Sequence, residues 1–272
     1  MRWAWVALGM ILVTALAQAQ PVVNSGGVLN SGSYTTQGVA PGSLVSIFGT
    51  NLAGTTSIGS TIPLSTTLSD VTSVTFNNIP AGLYFVGPLQ INAQVPFDVL
   101  PSGSDSGTVN IVVTRGNGPS APQSVSIIPA SPGIFTTTAN GIGQAFAYDN
   151  TTGALAAPSG TSIGSFTVAP FSVSSGHALI IACTGLGAVT PSIGDYVAAS
   201  DGTFRNTKIQ PDVLIGGVKA QFVYAVLSPQ YVSEYQIGVI PAPTTPAGNA
   251  ISLQIVMNGV TTTNQVTIAT AP

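Results

Sequence analysis

The fold is decided by a stretch that the chain carries twice, APGSLVSIFGTNL at residues 40–52 and SSGHALIIACTGL at residues 174–186. Each copy opens with small turn-forming residues, continues through a short apolar run and leaves that run at a glycine. An apolar run of about six residues bounded by turn signals is typical of a buried strand. The stretch therefore predicts one equivalent strand in each of two repeated units.

A second repeated block predicts a hairpin in each unit. Residues 74–86 match residues 213–225, and in both copies two apolar runs flank a pair of identical residues. The pair is Asn-Asn at 77–78 and Gly-Gly at 216–217. Asparagine and glycine tolerate the positive φ angles that a two-residue hairpin turn requires, so we expect the same tight turn at both places.

A third block completes the repeat, because residues 90–96 match residues 236–241. Val109, Ile111 and Val113 then alternate with other residues, so they should share one face of a strand. Each copy predicts two closing strands, at 108–114 and 123–128 in the first and at 250–257 and 264–269 in the second. Short strands with turn signals between them are the pattern of a β-sandwich.

We therefore predict an all-β chain of two tandem immunoglobulin-like β-sandwich domains. The first domain spans residues 20–131 and the second spans residues 132–272, with a hinge near residues 129–135. Residues 136–170 have no counterpart in the first copy. We assign them to an extra hairpin of the second domain, whose two strands are predicted at 144–148 and 153–157.

The composition supports the all-β prediction and excludes one class of function. Charged residues make up 5% of the 272, against roughly 25% in ordinary globular proteins. Hydrophobic residues make up 44%, and the 31 glycines and 20 prolines supply turns. Beyond Arg2 the chain has four basic residues against eight acidic ones. It therefore lacks the basic surface that neutralises the phosphates of a nucleic acid.

The first nineteen residues, 1–19, have the pattern of a signal peptide. Arg2 supplies a positive charge, residues 3–16 form an uncharged apolar run, and Ala17-Gln18-Ala19 provides small residues for cleavage. We expect cleavage after Ala19, with cleavage after Ala17 as the close alternative. The mature chain should then be secreted, to the extracellular space or the cell surface, and we expect no membrane span in it.

Three of these stretches carry a resemblance to a known group. The runs APGSLVSIFGTNL (40–52), QINAQVP (90–96) and PGIF (132–135) together resemble the uncharacterised Solibacter-type domain found at the C-termini of exported acidobacterial proteins. The first half is also similar to the IPT/TIG immunoglobulin-like fold. The resemblance implies an exported accessory or surface module. It brings no catalytic or binding residues, because none are assigned in that family.

Catalytic candidates are few, because the chain has one histidine. A serine-hydrolase site would need His177 together with Ser174 or Ser175 and with Asp201 or Asp212. One lone histidine is weak evidence for such a site. We therefore interpret His177 as a residue at the rim of a strand.

The acidic residues predict neither an acid pair nor a metal site. Glu234 is the single glutamate, and no spacing suggests two carboxyl groups roughly 5–10 Å apart, as glycoside hydrolysis requires. Calcium could find oxygen ligands near Asp149-Asn150, Asp195 or Asp201, but aspartates that form turns explain these positions equally well. We expect no cofactor and no catalytic, cofactor-binding or metal-binding residues.

Two remaining reactive groups have structural interpretations. Cys183 lies in an apolar strand and is expected to be a buried thiol, and one cysteine with one histidine cannot build a zinc site. An amide crosslink between Lys219 and Asn264, with Glu234 as the catalytic acid, is the other unusual chemistry that an exported sandwich could carry. We interpret this trio as a coincidence of position.

Binding is therefore the expected role. Aromatic side chains could supply a small platform for a sugar, and the candidates are Tyr84, Phe85, Tyr224, Tyr231 and Tyr235. With so few charges, edge strands are open to pairing with other chains. We predict a non-catalytic surface or matrix interaction module, for adhesion or assembly, that binds an unknown protein or polysaccharide. The alternative is a carbohydrate-binding accessory module.

Overall fold

The structure is a computed structural model that describes residues 19–263 and 265–272. Every regular element in these residues is a β-strand, which confirms the all-β prediction. The described part of the chain therefore holds no helix that could cross a bilayer. Residues 1–18 of the predicted signal peptide lie outside the described residues, and so does Asn264.

The first half of the chain forms ten strands in two antiparallel sheets. The strands are β1 (Val22–Asn30), β2 (Leu44–Thr50), β3 (Ser57–Ile58), β4 (Val71–Phe76), β5 (Ile79–Pro80), β6 (Leu83–Val86), β7 (Gln90–Gln94), β8 (Gly107–Arg115), β9 (Gly118–Pro119) and β10 (Gln123–Ile127). One sheet has the order β1-β2-β7-β6-β3, and the other has the order β10-β8-β4-β5 with β9 on β8. Strands β1, β2, β7 and β6 thus hold the A, B, E and D positions of an immunoglobulin sandwich, and β4, β8 and β10 hold C, F and G.

The second half repeats this arrangement with additions. Its strands are β11 (Gly133–Ile134), β12 (Gly143–Gln144), β13 (Ala147–Asp149), β14 (Leu155–Ala156), β15 (Val168–Ala169), β16 (Phe171–Ser172), β17 (Leu179–Thr184), β18 (Val189–Thr190), β19 (Asn206–Thr207), β20 (Asp212–Ile215), β21 (Val218–Lys219), β22 (Gln221–Leu227), β23 (Tyr235–Ile240), β24 (Gly248–Met257), β25 (Val260–Thr261) and β26 (Val266–Ala271). One sheet has the order β15-β14-β13-β17-β23-β22-β19-β18, with β11 on β17. The other has the order β12-β26-β24-β20-β21, with β16 on β26 and β25 on β24.

Each half has its own hydrophobic core between its two sheets. In the first core Val109, Ile111 and Val113 of β8 are buried, as the alternation predicted. The second core includes Tyr235, which is fully buried, and Cys183, whose burial confirms the prediction of a structural thiol. Full burial of an aliphatic or aromatic side chain stabilises the fold by about 1.5–3 kcal/mol, so two such cores can form without disulfides.

The two predicted hairpin turns are confirmed. Asn77 and Asn78, between β4 and β5, have φ angles of 47° and 67°, and Gly216 and Gly217, between β20 and β21, have φ angles of 59° and 79°. Positive φ at both central positions matches the right-handed twist of the flanking strands. After each hairpin the chain crosses to the opposite sheet, where β6 and β22 take the same D position.

The predicted extra hairpin exists, and the structure gives it a role that the sequence did not reveal. Its strands β13 and β14 pair at Tyr148 and Leu155. Strand β13 lies antiparallel against β17, as β1 lies against β2, so the hairpin supplies the A strand of the second sandwich. The segment before it switches sheets, because β12 pairs with β26 on the other side of the core. Beyond β13, strands β14 and β15 extend the sheet edge.

The two sandwiches are in direct contact around residues 129–135. Gly133 is packed so closely that a side-chain Cβ there would lie 2.1 Å from Asn30 Oδ1. Asn30 Nδ2 in turn donates to the Ser131 carbonyl over 2.6 Å. Further hydrogen bonds cross from one half to the other: Leu44 N to Thr184 Oγ1 (2.9 Å), Phe97 N to Asp195 Oδ1 (2.8 Å), Tyr196 N to Gln94 Oε1 (2.6 Å) and Tyr84 Oη to the Val232 carbonyl (2.7 Å).

Candidate functional site

A cavity of about 730 Å³ lies between the two sandwiches. Its walls are the outer faces of the two A-B-E-D sheets. In β7, Ile91 and Ala93 point into the first core, so Asn92 between them faces the cavity. In β23, Tyr235 and Ile237 point into the second core, so Gln236 faces the cavity from the other side. Strand alternation in both halves therefore turns one row of side chains toward a shared space.

Aromatic rings dominate the lining. Tyr34 and Tyr84 come from the first half, and Phe135, Phe146, Tyr148, Phe166 and Tyr231 come from the second. The rings of Phe146 and Phe166 lie 5.7 Å apart, tilted by 57°, in the offset geometry that aromatic pairs prefer. Phe166 is 53% exposed and Tyr231 is 54% exposed. The cavity is therefore open to solvent where these two residues lie.

Tyr84 fixes the two walls relative to each other. Its hydroxyl donates to the Val232 carbonyl over 2.7 Å, which joins β6 of the first half to the β22–β23 loop of the second. Burial raises the pKa of Tyr84 well above its usual value, and the carboxylate of Glu234 acts in the same direction. The phenol is therefore a neutral hydrogen-bond donor throughout the ordinary pH range.

The β22–β23 loop also holds Glu234 at the cavity wall. The Ser228 amide donates to the Glu234 carbonyl over 2.8 Å, which closes the loop at its base. The Ser228 hydroxyl accepts from the amides of Gln230 and Tyr231, at 3.2 and 3.4 Å. Glu234 Oε1 accepts from Gln236 Nε2 at a long 3.4 Å. Burial raises the pKa of the Glu234 carboxyl despite these neighbours.

Glu234 has no ion-pair partner within the described ranges. The ion pairs found there are Arg115–Asp70, His177–Asp149, Arg205–Asp201 and Lys219–Asp212. The residues that line the cavity include no lysine, arginine or histidine. Its charge does act on neutral groups nearby: burial, and then Glu234, raise the pKa of Tyr148 and that of the Cys183 thiol. The cavity therefore carries one carboxylate that no cation of the described chain neutralises.

The structure does not assemble the serine-hydrolase arrangement around His177. His177 Nδ1 lies 2.8 Å from Asp149 Oδ2, so its partner is neither Asp201 nor Asp212. Those two aspartates bind Arg205 and Lys219 instead. Ser175 Oγ donates to the Ser172 carbonyl, and Ser174 Oγ lies 3.2 Å from the Ser172 hydroxyl. Both serines thus complete a turn beside His177 at the beginning of β17.

The sequence also holds a Gly-x-Ser-x-Gly match, GTSIG at residues 160–164. In hydrolases this motif places its serine on a sharp turn from a strand into a helix. Here Ser162 is exposed in the loop between β14 and β15, and no helix follows within the described residues. The match is therefore part of a surface loop.

The candidate metal ligands are separated and have other roles. Within the described part of the chain, no group of three His, Cys, Asp or Glu side chains could hold a metal ion. Burial alone would raise the pKa of Asp149, but hydrogen bonds from His177, Thr151 and Thr152 outweigh it and hold that pKa below its usual value. Asp195 instead accepts from the Phe97 amide, and burial raises its pKa.

Two members of the trio Lys219, Glu234 and Asn264 have other partners in the described residues. Lys219 Nζ lies 2.8 Å from Asp212 Oδ2 in an exposed ion pair. Asn264 lies outside the described residues. Glu234 belongs to the cavity wall, where its neighbours are Gln236 and Ser228. The ion pair gives Lys219 a role on the surface of the C–F–G sheet.

Two of the five predicted platform aromatics, Tyr84 and Tyr231, line the cavity. Tyr235 does not, because it is buried in the second core and donates to the Gly187 carbonyl over 2.6 Å. The ring of Tyr224 covers Gly238 of β23. Sequence reasoning missed five lining aromatics: Tyr34, Phe135, Phe146, Tyr148 and Phe166. Phe146 and Tyr148 could have been found, since their spacing of two, on either side of the buried Ala147, is a strand signal.

No model of a known protein family and no curated protein matches the chain. Among solved structures, it is similar to the I9–I11 tandem of titin at 8% identity and a TM-score of 0.21, over 92% of this chain and 66% of that one. It is also similar to the N-terminal periplasmic domain of ScsB from Proteus mirabilis (10% identity, TM-score 0.19, 84% and 86%). An endo-fucoidan hydrolase of glycoside hydrolase family 107 follows (9% identity, TM-score 0.17, 93% and 44%). The chain spans just under two thirds of the titin tandem.

Proposed function

We propose that the chain is an exported, non-catalytic interaction module of the cell surface or matrix, which captures a projecting group of its partner in the cavity between the sandwiches. The cavity is the observation that carries the proposal. Its volume of about 730 Å³ falls in the range of about 300–1,000 Å³ that ligand pockets occupy. An aromatic lining with a few polar groups is also what such pockets share.

The chemistry of the lining supports binding rather than turnover. General acid–base catalysis works best with a group whose pKa lies near the working pH. The lining offers one carboxyl group, Glu234, and four tyrosines, and burial raises the pKa values of Tyr84 and Tyr148 further from neutrality. A serine nucleophile would need a base beside it, and Ser31, the one serine of the lining, is hydrogen-bonded to the Ser46 hydroxyl at 2.9 Å. The aromatic rings and amides can hold a ligand without changing it.

The cellular setting is part of the same proposal. The Arg2-led signal sequence and the resemblance to exported acidobacterial domains both favour a chain that works outside the cytoplasm. Only four basic side chains follow the signal sequence. Long-range electrostatic attraction is therefore weak, and shape and short-range contacts must select the partner.

A matched pair of substitutions tests the role of the cavity. Ala182 lies on the cavity face of β17, so Ala182→Phe should partly fill the cavity without entering the core. Val223→Phe is the control, since Val223 is 46% exposed and lies outside the cavity lining. We expect Ala182→Phe to reduce retention on washed envelopes and cell-wall polymers at least about tenfold, or ~1.4 kcal/mol. If the two variants are retained equally, the cavity is not the site that binds the partner.

A second candidate function is carbohydrate binding, and the amides beside the aromatic rings favour it. Asn92, Gln230 and Gln236 line the cavity together with Tyr84 and Tyr231. Sugar hydroxyls need such donors and acceptors, while the apolar faces of sugars pack on aromatic rings. A glycan array separates the two candidates, because this one requires binding to a free oligosaccharide that Ala182→Phe abolishes.

A further inference from the structure

We propose that the cavity selects a positively charged organic group, an alkylated ammonium of the kind that a choline head group or a methylated amine presents. The inference rests on the proposed function, because it names the class of ligand for the same cavity. The occupant that we propose is a cation rather than a neutral sugar.

The aromatic lining is the first observation that supports a cation. Tyr84, Tyr148 and Glu234 all line this one cavity. Burial, and then the charge of Glu234, raise the pKa values of both phenols. The face of an aromatic ring attracts a cation within about 6 Å of its centre, and cages of several aromatic rings bind quaternary ammonium groups.

The unpaired charge of Glu234 is the second observation. The three arginine or lysine side chains that form ion pairs within the described ranges are used by Asp70, Asp201 and Asp212. Glu234 is the single glutamate of the chain, and its carboxyl is half-buried at the wall of an apolar cavity. Burial without a cation disfavours the charged form. A ligand that brings a positive charge would remove this unfavourable term, which a neutral ligand cannot do.

The surroundings of Glu234 contain nothing that would oppose a cation. The groups near it are Tyr84 from β6, Tyr148 from β13, Ser228 from the β22–β23 loop and Gln236 from β23, with the thiol of Cys183 of β17 in the core. Serine and glutamine carry no charge, and burial, with the Glu234 charge, keeps the two phenols and the thiol protonated. Phosphate, sulfate or carboxylate groups would meet the Glu234 charge with no basic side chain in the lining to compensate. Charge complementarity therefore favours a cation and excludes anions.

The test compares choline with 3,3-dimethylbutan-1-ol, which has the same shape without the charge. Both are titrated into the full mature chain, with tyrosine fluorescence and calorimetry as readouts. We expect choline to bind at least about tenfold more tightly than its neutral isostere. In Glu234→Gln this preference should disappear, while Asp105→Asn, which removes one exposed negative charge elsewhere, should keep it. Thermal unfolding of Glu234→Gln checks that the variant is folded.

Several outcomes would overturn the inference. Equal affinity for the two probes would do so, and so would a preference that survives in Glu234→Gln. The third such outcome is no binding of choline at about 50 mM, roughly fifty times a millimolar Kd. A neutral oligosaccharide that binds, and that Ala182→Phe excludes, would overturn the cationic ligand while leaving the cavity as the recognition site. If Ala182→Phe changes no binding property of the chain, the proposed function fails as well.

Discussion

Glu234 contributes to the way the stability of the protein changes with pH in weak acid. Burial raises the pKa of its carboxyl above the value in the unfolded chain. An acid of this kind contributes stability that is fully present below the unfolded pKa and is lost as the pH rises through the folded pKa. We therefore expect Glu234→Gln to be more stable than the parent at pH 7, and this gain to be smaller at pH 4.

Urea unfolding at the two pH values measures that difference. Asp105→Asn is the matched control, since it makes the same change of charge at an exposed loop position. The control should leave stability unchanged at both pH values. A stabilisation by Glu234→Gln that is equal at pH 7 and pH 4 would show that the ionised carboxylate is not its source.

Asp149 should change the pH dependence of stability in the direction opposite to Glu234. Hydrogen bonds from His177, Thr151 and Thr152 outweigh burial and lower its pKa. A carboxylate of this kind contributes stability that is present above the unfolded pKa of 3.8 and is lost as the pH falls through its lower folded value. We expect Asp149→Ala to cost about 1–3 kcal/mol at pH 6, because it leaves the turn amides without an acceptor.

His177→Ala measures how much of this stability depends on the hydrogen bond between His177 and Asp149. His177 is about one third exposed, so its loss should cost less than the loss of Asp149. Chemical denaturation gives both values at pH 6. A larger cost for His177→Ala than for Asp149→Ala would contradict the assignment of Asp149 as the centre of the turn.

At the scale of the strand, the two tight hairpins depend on positive φ angles. Gly217 has a φ of 79°, and a Cβ there would meet no atom within 4 Å, so the strain of a substitution comes from the backbone alone. We expect Gly217→Ala to cost about 1–2 kcal/mol, the price of a left-handed conformation for a residue with a side chain. Urea unfolding monitored by circular dichroism measures the cost.

Gly116 provides the control for the hairpin. Its surroundings are equally open and its φ is not positive, so Gly116→Ala should change stability by less than about 0.5 kcal/mol. Equal costs at Gly116 and Gly217 would mean that the φ angle is not what selects glycine in the turn.

The repeated strands could be predicted because their signals are local. Strands β2 and β17, β7 and β23, and β8 and β24 carry apolar runs or alternation bounded by turns, and the structure confirms them. The strand predicted at 144–148 could not be recognised as the A strand of the second sandwich. That segment is divided between the sheets, because β12 pairs with β26 and β13 pairs with β17, and pairing partners are not visible in a local pattern.

At the scale of the whole molecule, the contact between the sandwiches keeps the cavity walls together. A Cβ at Gly133 would lie 2.1 Å from Asn30 Oδ1 and 2.7 Å from the Ser33 amide nitrogen. We expect Gly133→Ala to cost about 1–3 kcal/mol, the usual size of an overpacking effect. It should also weaken cavity binding, because the walls must move apart to accommodate the methyl group.

Small-angle scattering and ligand titration test this expectation, with Gly194→Ala as the control at a position where a Cβ meets nothing within 4 Å. Gly133→Ala should lower the affinity for any cavity ligand at least several-fold. If affinity and scattering curve match those of the control, the contact near Gly133 does not determine the cavity.

The cavity could not be predicted from the sequence because its residues come from both halves of the chain. Tyr34 and Tyr84 belong to the first half of the chain, whereas Tyr148 and Tyr231 belong to the second. Sequence repeats indicate which strands are equivalent, but they carry no information on which faces of two sandwiches meet. Of the seven lining aromatics, only Tyr84 and Tyr231 were predicted from the sequence, as parts of a platform for a sugar.

Both halves of the chain contribute walls to the cavity. A recombination event must therefore transfer both halves together if the cavity is to be kept. A gene fragment that encodes one sandwich keeps a complete core, but it carries only two or five of the seven lining rings and one face of the cavity. Duplication of a single sandwich would likewise yield the strands without the pairing of faces. The two sandwiches should therefore be inherited, shuffled and lost together, as one cassette.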